Sequence, residues 1–153
     1  MASPLGFSEA TRDWYRDRLL PALAEVVEPV DPWALSTAEE FAAAAAAGQQ
    51  RAFALEVGRR NARAIRSSAL LVAHLDGQEP DSGTVVEVGY ACGLGIRSYG
   101  IRSDLRQAGE AGVPLNLQVA ALIEDSGGTI VDGLDALLAL LREDLAAGGA
   151  QPA

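Results

Sequence analysis

ALLVAHLDGQEPDSGTVVEVGYA, residues 69–91, decides the fold. Its first part, ALLVAHL at 69–75, is a continuous apolar run, which is how a strand covered on both faces reads. DGQEPDSG, 76–83, is loop chemistry throughout, rich in residues that break both regular repeats. From residue 84 to about 95 the pattern turns helical. Strand, loop and helix in that order make one βα unit. Arg97 to Ile101 reads as a second short strand. The alternation predicts an α/β domain with a mainly parallel sheet. Ligands of such sheets bind outside the carboxyl ends of the strands, and the 76–83 loop lies at one of those ends.

Working outward, residues 7–24 read as a helix, with Ser8 as N-cap and Trp14, Leu19, Leu20 and Leu23 at helical spacing. Pro21 is placed to kink it. EVVEPVDP, 25–32, reads as a short strand and turn. Ser36-Thr37-Ala38-Glu39 reads as a capping box opening a helical stretch over 37–66, with a break at Gly48. Residues 103–116 form a long polar connection, and LQVAALIE, 117–124, reads as another buried strand. A turn at 126–128 leads into a C-terminal helix over 130–147, with leucines at 134, 137, 138, 140 and 141. Residues 1–147 are expected to form one domain and 148–153 a loose tail. There is no internal repeat.

The bulk composition narrows the function. The chain has 153 residues, 49% of them apolar, enough for one domain with a real core. No apolar run approaches the ~20 residues that span a bilayer. The N-terminus lacks a basic segment followed by an apolar one, so no secretory signal is expected. The single cysteine, Cys92, excludes an internal disulfide and a cysteine-built zinc site, and points to a reduced, cytoplasmic setting. A formal charge of −9 argues against nucleic acid as a partner. Arg59, Arg60, Arg63 and Arg66 cluster at helical spacing and read as a solvated helix face. A neutral or weakly charged small molecule fits this balance.

Two acids stand out. Glu87 lies among Val85, Val86 and Val88 in the first part of the helix that begins near Thr84. Desolvation raises a carboxyl pKa, and a helix N-terminus lowers it. A carboxylate kept ionised but poorly hydrated is a nucleophile suited to an electrophilic sugar carbon. Asp81, on the preceding loop, is placed to handle the proton of a leaving group. Two carboxyl groups with separated roles are how glycosidic bonds are cut, here a nucleoside's bond to its base. Spacing alone leaves another reading open: Asp81 before Ser-Gly is also a turn and cap residue, and Glu87 also suits the outer face of an amphipathic helix. Asp76 before Gly77 reads as a turn residue. His74, the only histidine, reads as packing beside a buried run. No metal or thiol site can be assembled around it without a second histidine or a cysteine partner. Cys92 also reads as packing, and GYACGLG is a weak dinucleotide signal because it follows no strand.

The motif Asp-Ser-Gly-Thr-x-x-Glu-x-Gly-Tyr-Ala, 81–91, resembles the signature of the nucleoside 2-deoxyribosyltransferases. Ser3-Pro4-Leu5-Gly6-Phe7-Ser8 resembles that family's first loop, and Asp31-Pro32-Trp33 its loop after the second strand. Asn61, Ile65 and Asp76-Gly77 resemble its third βα unit, and Asn116-Leu117-Gln118 a later loop. The resemblance implies a flavodoxin-like (Rossmann-like) fold, a five-stranded parallel sheet with helices on both faces. It implies transfer of 2-deoxyribose between nucleobases by a retaining double displacement, with Glu87 as nucleophile, Asp81 assisting at the base and no cofactor or metal. It places Asn61, Asn116, Ser3, Pro4, Gly6, Phe7, Trp33, Asp76 and Gly83 among the substrate-binding residues. Asn116 would act in a neighbouring subunit's site, which implies a homo-oligomer. The partners are then 2′-deoxyribonucleosides and free nucleobases.

The chain departs from the family in two respects. The family's first, central strand precedes the loop at Ser3, so that strand reads as truncated and Met1 as a misplaced start. The tail also lacks the carboxyl-terminal aromatic of some members. Two alternatives stand beside transfer. One is hydrolysis of a nucleoside or a nucleoside 5′-monophosphate, where Asp81 would repel a phosphate. The other is non-catalytic nucleoside sensing, against which the retention of both acids argues.

Overall fold

The structure is a computed structural model, and it describes residues 1–107, 109 and 112–148. In chain order the helices are α1 (Glu9–Trp14), α2 (Leu20–Ala24), α3 (Ala38–Ala46), α4 (Gln50–Arg66), α5 (Ser82–Gly93), α6 (Leu117–Asp125) and α7 (Leu134–Ala146). The strands are β1 (Leu70–His74), β2 (Arg97–Ile101) and β3 (Ile130–Val131). All three pair in parallel, in the order β1-β2-β3. On the free edge of β1, Ala2 makes one parallel bridge to Ala73. The Ala2 N–H donates to the Val72 carbonyl at 2.8 Å, and the Ala2 carbonyl accepts the His74 N–H at 2.9 Å. Ala2 thus occupies the edge position where the first strand was expected. The described residues hold three strands and this bridge, not five strands.

Alternation along β1 divides the core into two. Leu71 and Ala73 face a cluster that includes Ile65 of α4, Val88 and Ala91 of α5, and Val119 and Ile123 of α6. Val72 faces the other way, with Tyr99 and Ile101 of β2, against Leu5, Tyr15, Leu19 and Leu23 and the leucines of α7. Helices therefore cover both faces of a parallel sheet, as in a flavodoxin-like α/β fold.

Several expectations are corrected. Residues 117–124 are helix, not strand. Asn116 caps α6 by accepting the Gln118 N–H at 3.0 Å, and Val119, Ala120 and Ile123 are buried at helical spacing. A short apolar run does not by itself separate a buried strand from a buried helix. Residues 25–32 form no strand either. Pro29 and Pro32 lack the N–H groups that a ladder needs, and Asp31 instead caps a 3-10 turn, Pro32–Leu35. The capping box lies one residue later than expected: Thr37 Oγ1 accepts the Glu40 N–H at 3.2 Å, and Glu40 Oε2 accepts the Thr37 N–H at 2.9 Å. The first helix is interrupted by a π-turn, Tyr15–Leu19, just before Pro21. The C-terminal stretch splits into β3 and α7, and the tail from residue 149 lies outside the described residues. Among the described residues no helix is long and apolar enough to cross a membrane.

The turn into β3 runs against β2 with no room for a side chain. A Cβ on Gly128 would lie 1.8 Å from the Ser98 carbonyl oxygen, a backbone atom that cannot swing away. Gly128→Ala is expected to lower stability by about 3 kcal/mol or more, read by urea unfolding. An unchanged midpoint would mean that this close approach is absent in solution.

Candidate active site

The site is built around the start of α5. Asp81 is its N-cap: Oδ2 accepts the Thr84 N–H at 2.9 Å and the Thr84 hydroxyl at 3.2 Å. Thr84 is itself buried, so the cap is fixed from beneath. Asp81, Thr84 and Glu87 recur at intervals of three and share one side of the helix. This arrangement accounts for an acid among valines. Val88 enters the core at 1% exposure, Val86 points outward at 70%, and Glu87 lies at the rim between them.

Burial raises the Glu87 carboxyl above the ordinary glutamate range. The Met1 α-amino group pulls it down, the charge of Asp81 pushes it up, and a hydrogen bond from Asn61 pulls it down again. Asn61 reaches the site from α4. Its Oδ1 is buried and has no hydrogen-bond partner among the described residues.

A cavity of about 530 Å³ opens over these groups. Of the residues expected at the site, Ser3, Phe7, Trp33, Asn61, Asp81, Gly83 and Glu87 line it. Phe7 and Trp33 meet edge to face, with ring centroids 4.5 Å apart. Gly6 does not line the cavity but allows its wall to form, because a Cβ there would lie 2.2 Å from the Trp33 ring. The sequence reading did not place Ser36, Thr37 and Phe41, or Val57 on α4, at the site, yet all four line the cavity. The capping box, a few residues after Trp33, was a signal for Ser36 and Thr37 alone. None of the described lining residues is basic. The lining offers carboxylates, hydroxyls, one amide and aromatic faces, a set suited to an uncharged ligand with a flat aromatic part.

Besides Gly6, three expected residues do not line this cavity. Pro4 and Asp76 line a second cavity of about 630 Å³, beside His74 and Trp14. Asp76 is occupied there: it accepts the Ser103 N–H at 2.5 Å, the Ser103 hydroxyl at 2.6 Å and the Asp104 N–H at 2.9 Å. Asp104 in turn accepts the Gly77 N–H at 3.1 Å, and Arg102 donates to the Leu75, Gly77 and Arg106 carbonyls. Asp76 therefore ties the loop after β1 to the loop after β2, and only Asp81 at the far end of the first loop reaches the site. His74 lies 3.3 Å from Asp76, and burial lowers its pKa, which favours the neutral ring. Asn116 lies on another side of α5, in a groove with Val85, Val86 and Leu122. Cys92 packs 3.5 Å from the Ser98 hydroxyl, away from the cavity.

The family description "Nucleoside 2-deoxyribosyltransferase" matches residues 1–133. No curated protein matches this chain. Among solved structures, a 2-desoxiribosyltransferase from Leishmania mexicana superposes with a TM-score of 0.68 at 22% identity, over 93% of this chain and 94% of that one. A conserved protein from Enterococcus faecalis V583 superposes with a TM-score of 0.56 at 22% identity, over 90% of this chain and 92% of that one. At such identity these two speak for the fold. The family match takes in the first core cluster, all of the second except the leucines of α7, the capped start of α5 and every described residue that lines the cavity, and the chain belongs to the nucleoside 2-deoxyribosyltransferase family.

Proposed function

We propose that this chain transfers 2-deoxyribose from one nucleobase to another by two displacements at C1′. The Glu87 carboxylate attacks C1′ of a 2′-deoxyribonucleoside, the new C–O bond forms as the C1′–N bond breaks, and Asp81 assists protonation of the departing base. A second base then attacks C1′ and displaces Glu87, so configuration is retained. The observation that carries this reading is the half-buried Glu87 carboxylate with its raised pKa, on the same helix side as Asp81 and open to a cavity without basic lining. The unpartnered Asn61 Oδ1 is available to a sugar hydroxyl, and Phe7 and Trp33 offer faces to the base. Such chemistry calls for no cofactor.

Hydrolysis is the second reading, and Phe7 favours it: the ring is 75% exposed, so water can approach the ester unless something covers the mouth. We infer that a second copy supplies that cover. Asn116 is exposed at the start of α6 beside Val86 and Leu117, which are 70% and 50% exposed. In this arrangement Asn116 acts in the neighbour's cavity. Val86→Glu is expected to give a smaller species than wild type in sedimentation, with a higher ratio of hydrolysis to transfer. An unchanged mass would remove the interface from this face.

Glu87→Gln tests the nucleophile. With 2′-deoxyinosine and free adenine or cytosine, chromatography should show a new deoxynucleoside from the wild type, and at least about a thousandfold less from the variant. Free hypoxanthine alone would indicate the hydrolase, and no turnover by folded protein would favour a nucleoside sensor. The same variant has a stability readout. Burial holds the folded-state pKa of Glu87 above its unfolded value. The resulting stabilisation is complete below the unfolded value and is lost as pH rises through the folded one. Glu87→Gln keeps a neutral side chain throughout. It should therefore melt above wild type at about pH 7.5, with the gap closing near about pH 4. Equal melting temperatures at neutral pH would mean that Glu87 is well solvated.

A further inference from the structure

We propose that Tyr15, which does not line the cavity, positions the aromatic wall that receives the base, and that it acts through Asp31. The proposal rests on the reading of this cavity as a nucleoside site, and it adds a determinant of base affinity that lies outside the site.

Tyr15 is 3% exposed, within the core between the π-turn and the sheet. A buried phenol needs a partner for its hydroxyl. Here the hydroxyl donates to Asp31 Oδ1 at 2.8 Å, across 16 residues of sequence. The same oxygen accepts the Trp33 N–H at 2.9 Å. One carboxylate oxygen therefore joins the core to the backbone of the residue whose indole forms the wall.

Little else holds this segment. Pro29 and Pro32 leave it without strand pairing. The Met1 amino group donates to the Val30 carbonyl at 3.2 Å, the Ala34 N–H to the Asp31 carbonyl at 3.1 Å, and Arg60 to the Leu35 carbonyl at 2.9 Å. The Tyr15–Asp31 bond is a side-chain link from this loop into the core. The wall it sets has little tolerance. The Trp33 ring lies over Gly6 where not even a Cβ fits, and its edge meets Phe7. Ser36 and Thr37, a few residues on, also line the cavity, so a shift of Asp31 would move both the stacking surface and the neighbouring hydroxyls. Burial first, then the bond to Asp31 and the charges of Asp31 and Glu87, hold Tyr15 far above the ordinary tyrosine range, so it remains a donor at any working pH.

The structure contains a matched control. Tyr99 is 2% exposed and donates to Asp144 Oδ2 at 2.7 Å, a bond of the same kind between β2 and α7, with neither partner on the cavity lining. Tyr15→Phe and Tyr99→Phe each delete one buried hydroxyl and keep the ring. Base-exchange kinetics, thermal melting and acrylamide quenching of Trp33 fluorescence are compared, the last in a Trp14→Phe background so that Trp33 is the only tryptophan. Both variants should melt lower than wild type by similar amounts. Only Tyr15→Phe should raise KM for the free base, roughly tenfold, and make Trp33 more accessible to acrylamide. Its kcat should stay within about twofold, because a stacking wall holds ground state and transition state alike. Asp31→Ala breaks the same link from its other end and should repeat the rise in KM. The proposal is overturned if Tyr15→Phe and Asp31→Ala leave KM and quenching as in wild type, or if Tyr99→Phe raises KM equally. Should the wild type show neither transfer nor hydrolysis, the proposed function fails on its own account. The quenching comparison then still decides the positioning role: greater Trp33 accessibility in Tyr15→Phe but not in Tyr99→Phe supports it, and equal accessibility overturns it.

Discussion

The capping of α5 by Asp81 is the interaction on which the rest of the site depends. One carboxylate oxygen satisfies the Thr84 N–H and hydroxyl, and Thr84 is buried against the core. That contact sets where the helix starts, and so which way each residue of its first turns points. With the start set, Val88 and Ala91 meet the sheet, Val86 faces outward, and Glu87 falls at the rim. A start shifted by one residue would turn the helix by about 100° and exchange Glu87 with a valine. Asp81 therefore has a structural duty as well as its place at the cavity. The two readings that its local sequence left open are compatible, because a carboxylate has a second oxygen to offer.

The opposite wall is placed from a distance. The loop after β1 is held by Asp76, Asp104 and Arg102, whose side chains bond to the backbone of this loop and of the loop after β2. The loop that carries Trp33 is held by the carboxylate of Asp31. In both cases an acid outside the cavity orders a backbone that has too few ladder bonds of its own. Glu87 contrasts with these acids, since its burial raises its pKa and the fold bears that cost. An acid in such a position is more readily explained by chemistry than by stability.

Much of the frame was legible in the sequence. The apolar run at 69–75, the loop at 76–83 and the run at 97–101 became β1, its loop and β2, because each is decided by local pattern. Residues 117–124 were misread for a physical reason. Val119, Ala120 and Ile123 are apolar under either assignment, and only Asn116 bonding to Gln118 and the packing against α5 select a helix. Residues 25–32 were misread because three valines outweighed two prolines that forbid a ladder. The Ser36-Thr37 pair offered two capping registers, and the structure uses the second.

The site divides in the same way. Asp81 and Glu87 flank the start of one helix that follows the carboxyl end of β1, so sequence by itself placed both near the end of the sheet where ligands bind. Their resemblance to a family motif pointed to Phe7, Trp33 and Asn61 as well, and these three line the cavity. Asp76, Pro4 and Asn116 carried similar sequence credentials and lie elsewhere. Ser36 and Thr37 carried only a capping signal, Phe41 and Val57 none, and all four line the wall. Period and capping act through neighbours a few residues apart, so they determine how one element presents its own side chains. Which elements face the same space depends on contacts across the sheet and between loops distant in sequence, such as Tyr15 with Asp31 and Asp76 with Ser103. Only the tertiary structure could decide those.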